Sequence, residues 1–158
     1  MFANMGAFAV VAAIEGKTGS VDLRAFRGLS RSAPFYAVSM TIFMLSLAGI
    51  PPLAGFFAKY YVFAAGIKMA AVGSLYHWVY WLVGIGLVTS VFALYYYAKV
   101  IKAMYFGAVE VPNDVKPARS VAMVVLVGLV GVLLFGLYPH PILDIVTRIP
   151  QVFAFLPQ

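Results

Sequence analysis

The chain has no cysteine, two histidines and only 10% charged residues in a length of 158. Without cysteine, disulfides, thiol catalysis and cysteine-ligated metal are excluded. The two histidines, His77 and His140, are too far apart in sequence to suggest a protein-built zinc site. A water-soluble domain carries about a quarter charged residues. This one is 64% hydrophobic with a mean hydropathy of +0.98, so it cannot cover a core with polar surface. Disorder needs low hydrophobicity and is excluded as well. No nucleotide fingerprint, metal motif or catalytic triad is present, and Gly-rich phosphate loops need a strand-to-helix setting that the chain lacks. An integral membrane protein remains. Its formal charge of +6 is therefore read by position, and topology accounts for it without nucleic acid.

Charges divide the sequence into apolar segments, and a membrane-spanning helix needs roughly 20 apolar residues. The pattern predicts an all-α membrane fold of about four helices. These lie near 1–15, 35–67, 77–105 and 119–139, in a single membrane region covering 1–158. The first, MFANMGAFAVVAAI, is short for a span and has no basic residue before Lys17, so it does not read as a signal peptide. It reads as a transmembrane helix truncated at its N-terminal end, which makes the chain part of a longer protein.

The second segment is too long for one straight helix, because thirty-odd residues at about 1.5 Å each overshoot a core of about 30 Å. Its centre, Ser46-Leu47-Ala48-Gly49-Ile50-Pro51-Pro52, predicts an interruption near 49–52. Proline removes an amide donor and clashes with the preceding turn. Such a break is either a packing kink or a broken helix of the transporter type, whose open backbone binds ions or water.

Just beyond it stands Lys59, nine residues before the next charge, Lys68. A charge near the bilayer centre costs about 2.5–3.5 kcal/mol on insertion scales, so it faces protein or a water cavity. Snorkelling or a structural ion pair is the plain alternative, and it suits Lys68 better than Lys59. Burial disfavours a charged amine while a nearby carboxylate favours it, and a lysine between those influences can relay protons. Ser46, Gly49, Pro51, Pro52, Lys99 and His140 are the further pathway or helix-break candidates. Asn4, Thr89 and Ser90 are weaker ones, since hydroxyls and amides in membrane helices more often bond to a neighbouring helix. Lys99 and Lys102 also read as anchors, and Gly16 to Arg31 as an ordinary connector.

Lys17, Arg24, Arg27, Arg31, Lys99, Lys102, Lys116 and Arg119 fall on one side, and only Lys68 and Arg148 on the other. By the positive-inside rule the first side is cytoplasmic, or the mitochondrial matrix or stroma. Both chain ends then face the opposite compartment, which in a bacterial inner membrane, the location expected here, is the periplasm.

The run Ser46-Leu47-Ala48-Gly49-Ile50-Pro51 followed by Gly55-Phe56-Phe57-Ala58-Lys59-Tyr60 resembles the discontinuous late helix of the antiporter-like subunits of respiratory complex I. Within these it is most similar to the subunit N family of NADH-quinone oxidoreductases. Asn4 to Val11, Leu94 to Val100 and Leu137-Tyr138-Pro139-His140-Pro141 resemble the preceding helix, the following one and the terminal turn. The resemblance implies the C-terminal part of an antiporter-like fold, with Lys59 as the lysine of a proton half-channel that works as quinone is reduced. It also implies that NADH, FMN, iron–sulfur clusters and quinone belong to partner subunits, membrane and peripheral. No cofactor or redox site is then expected in this chain. The rivals are a multisubunit sodium/proton antiporter subunit and a structural membrane subunit without proton transfer.

Overall fold

A computed structural model describes residues 1–72, 76–108 and 118–139. Among the described residues, three long helices and one interrupted pair follow from apolar stretches that have no polar face of their own. Helix α1 spans Phe2–Thr18, and after a short 3-10 turn at Leu23–Phe26 come α2, Leu29–Ser32, and α3, Pro34–Ala48. Then follow α4, Ala54–Val72, α5, Trp78–Phe106, and α6, Arg119–Leu137. Glycine in the left-handed region closes α1: Gly19 (φ 67°) donates its N–H to the Glu15 carbonyl. Proline opens α3 at its first position, where a missing N–H costs nothing. Helix α1 runs three residues beyond the predicted 15, because Glu15 and Lys17 are exposed at its end and demand no break.

The connector 19–33 is more ordered than its composition suggests. Its 3-10 turn and α2 bury Phe26 and Leu29, and Gly28 donates to the Ala103 carbonyl at 3.4 Å, fixing the connector to the end of α5. The connector and the C-terminal end of α5 therefore share one end of the bundle. His140, Lys116 and Arg148 lie outside the described residues.

Helix α3 is central, packed against α1, α4, α5 and α6. Phe43, fully buried, sets the closest packing: a Cβ on Gly6 of α1 or Gly128 of α6 would meet its ring. Between helices in lipid, burial supplies little net driving force and close packing at small residues takes its place. Helices α5 and α6 are long and apolar enough to cross a membrane, and only 11% and 22% of their most apolar windows are buried inside the chain. Ile85, Val88, Phe92 and Tyr95 point outward, leaving α5 a broad apolar surface for lipid or neighbouring protein.

Candidate functional site around Lys59

The geometry of the site begins with how α3 ends. Gly49 takes φ 87°, a conformation that costs an L side chain about 1–2 kcal/mol. Its N–H bonds to Ser46 and Leu45 carbonyls at 3.0 and 3.1 Å, and the Ile50 N–H returns to Leu45 at 3.1 Å. This is a Schellman closure, which satisfies some of the last carbonyls of the helix and leaves others open. Pro51 and Pro52, joined by a cis peptide bond, carry the exposed chain across the gap, and Leu53 returns it to the core.

Helix α4 then starts so close to α3 that only glycine fits at its second position. A Cβ on Gly55 would run into the Ser46 carbonyl. The same approach lets the Gly55 N–H donate to Ser46 Oγ at 3.2 Å, so a buried serine of one half-helix caps an open donor of the other. One turn on, Lys59 reaches back and donates from Nζ to the Ala48 carbonyl at 3.0 Å. Ala48 ends α3, and its carbonyl lies at the negative end of that helix dipole, where an ammonium is a complementary partner. The lysine stem lies over Gly49, where a Cβ would stand 2.9 Å from Lys59 Cδ.

Half-buried Lys59 lines two cavities. One of about 620 Å³ lies between α4 and α5 and includes Ala48, Gly49, Phe63, Lys68 and Ser90. The other, about 460 Å³, lies on the α1 and α6 side and includes Ser46, Gly55, Phe2 and Val132. Both are mostly apolar, and the polar features that water or a proton would meet are the Lys59 amine and the helix-end carbonyls, with Lys68 and Ser90 in the first cavity and Ser46 in the second.

The sequence-predicted residues divide accordingly. Lys59, Ser46 and Gly49 meet at the break, with Pro51 and Pro52 on its outer rim. Ser90 joins the first cavity, its hydroxyl donating to Gly86 O at 2.9 Å. Lys99 is nine residues farther along α5, about 13 Å along the axis, and lines a different cavity with Arg24, Arg27 and Lys102. Asn4 and Thr89 are exposed, and His140 is outside the described residues. Sequence reasoning overlooked Ser32, Tyr36 and Ser39, whose hydroxyls are buried without a hydrogen-bond partner. Tyr36 and Ser39, three apart in α3, share a helix face, and that spacing was the available signal; Ser32 lies in α2, on the other side of the non-helical Ala33. Among the described residues no three His, Asp or Glu side chains gather around a possible metal.

The family model described as NADH:quinone oxidoreductase/Mrp antiporter, transmembrane, matches residues 1–102. NADH-quinone oxidoreductase subunit N of Desulfitobacterium hafniense is 36% identical over 142 residues, covering 90% of this chain and 27% of that protein. The F(420)H(2) dehydrogenase subunit N of Methanosarcina mazei is 36% identical over 163 residues, covering 97% of this chain and 31% of that protein. A chain of respiratory complex I from Thermus thermophilus with bound aureothin superposes with a TM-score of 0.67 at 28% identity, covering 90% of this chain and 33% of that one. The chain thus spans about a third or less of the length of the relatives it matches.

Proposed function

The chain belongs to the NADH:quinone oxidoreductase/Mrp antiporter transmembrane family, and on that premise we propose that it acts as the C-terminal part of a proton-translocating membrane subunit of an NADH-quinone oxidoreductase. Lys59 is the protonatable group. The observation that carries this reading is the position of its amine, held at 3.0 Å from an open helix-end carbonyl and bordered by a cavity on each side. In this scheme the Lys59 ammonium gives one proton to water in one cavity, and the neutral amine takes one from water in the other. The Ala48 carbonyl accepts from the amine in both states and keeps it at the break. Ser46 holds the two half-helices together, and Gly49 leaves room for the lysine stem.

Redox chemistry belongs, on this reading, to other subunits: NADH, FMN, iron–sulfur clusters and quinone are bound there, and this chain joins them through its outward apolar faces and the lipid bilayer. The membrane is a bacterial inner membrane, with the connector 19–33 and the loop after α5 on the cytoplasmic side. The relative named for F(420)H(2) dehydrogenase favours one broader point. Membrane chains of this kind serve complexes with different electron donors, so the donor is set outside this chain.

The test is NADH-driven proton uptake by inverted membrane vesicles containing the assembled complex. Uptake that follows quinone reduction and persists without sodium supports the proposal. Sodium-dependent proton movement with no link to quinone reduction would identify a sodium/proton antiporter subunit instead.

A further inference from the structure

The connector and the end of α5 enclose a cavity of about 510 Å³ lined by Arg24, Arg27, Lys99 and Lys102, with Leu23 and Phe106 beside them. The connector and the end of α5 meet closely here: Gly28 donates to Ala103 O at 3.4 Å, and a Cβ on Gly107 would stand 2.7 Å from the Arg27 side chain at Cβ. Lys99 and Lys102, three apart on α5, share a helix face. Arg27 has a partner of its own, so the charge available to a ligand comes chiefly from Arg24, Lys99 and Lys102. Glu15 and Asp22, the acids among the described residues, do not line the cavity. A cluster of like charges attracts an anion.

Depth narrows the choice of anion. Helix α5 has 29 residues and is about 43 Å long, against a hydrocarbon core of about 30 Å. Its last turns, which carry the two lysines, therefore emerge at head-group level. Phe106, at 83% exposure, offers an apolar surface next to the charges. A phosphate ester with hydrocarbon attached suits both features, and basic pockets between membrane helices favour acidic head groups.

We propose that this cavity binds the phosphodiester head group of an anionic phospholipid, held by Arg24, Lys99 and Lys102, with an acyl chain leaving along Phe106. A free phosphate shares the charge but not the hydrocarbon.

The test uses the assembled complex in bilayers containing photoactivatable phosphatidylglycerol or photoactivatable phosphatidylcholine, with crosslinks mapped by peptide mass spectrometry. Peptides covering 23–28 and 99–108 are expected to label far more with the anionic lipid. Each basic residue near the surface is worth about fivefold in affinity, so Arg24→Gln with Lys102→Gln should lower that labelling roughly tenfold or more. Arg24→Lys with Lys102→Arg should retain it, and phosphatidylcholine labelling, unchanged in every variant, reports an intact fold. Excess inorganic phosphate should leave the lipid crosslinks in place. Equal labelling by the two lipids, no loss in the double Gln variant, displacement by inorganic phosphate, or crosslinks from these peptides to a neighbouring subunit in place of lipid would overturn the proposal.

Discussion

Lys59 donates a hydrogen bond to the carbonyl of Ala48 at 3.0 Å, so the first turns of α4 are tied to the last residue of α3 across the five-residue gap between them. That single bond answers two needs. An open carbonyl at the end of a buried half-helix gains a donor, and an amine costly to place in a membrane gains an acceptor. Because it spans the break, the position of the amine depends on the geometry of the break.

Gly49→Ala should therefore act in two ways. The left-handed backbone would cost about 1–2 kcal/mol, and the new Cβ would press on Lys59 Cδ, 2.9 Å away. Asparagine tolerates φ near 87° better but still carries the Cβ. Gly49→Asn should recover assembly, measured on native gels, more fully than it recovers proton uptake. Equal recovery of both would detach the glycine from the lysine.

Ser46→Ala removes the acceptor of the Gly55 N–H. A lost cap of this kind costs about 1 kcal/mol. Thermal unfolding of the purified subunit complex should show Ser46→Ala destabilised to that extent and Ser46→Thr close to wild type. No difference among the three would mean that the hydroxyl does not join the half-helices.

The helical class was legible because charge is so scarce that long apolar stretches stand out between the polar ones. The site was only partly legible. Gly49, Pro51 and Pro52 announce a break through backbone chemistry that any context must respect. Nothing in the sequence says that Lys59 turns back toward Ala48 rather than toward an acid, since that depends on where α4 restarts. The fold of the connector was missed because its burial comes from contact with α5, sixty to eighty residues later in the chain. Ser32, Tyr36 and Ser39 were missed because lone hydroxyls in apolar helices look alike until their neighbours are known.

Gly6→Leu should prevent normal packing of α1 against α3 and α6, because even a Cβ there meets the Phe43 ring. Overpacking commonly costs about 1–3 kcal/mol. Gly84, with open space around it, supplies the control: Gly84→Leu should be tolerated. Quantitative blotting of the assembled subunit checks both, and equal levels would contradict the packing.

These 158 residues contain no cysteine, so single cysteines introduced among them report topology directly. Val21→Cys and Ala108→Cys, both exposed and at the same end of the bundle, should react with an impermeant maleimide from the same, cytoplasmic side. Tyr76→Cys should react from the other. Labelling of Val21→Cys and Ala108→Cys from opposite sides would refute the shared end.

The central claim is that Lys59 moves protons, and the ratio of protons to electrons in the assembled complex tests it most directly. Arginine keeps a positive charge but does not release its proton under working conditions, so a relay is impaired by Lys59→Arg as well as by Lys59→Ala. A structural ion pair would tolerate the arginine. In inverted vesicles, with assembly verified on native gels, both variants should translocate fewer protons per NADH oxidised than wild type. A wild-type ratio in a fully assembled Lys59→Ala complex would contradict the account.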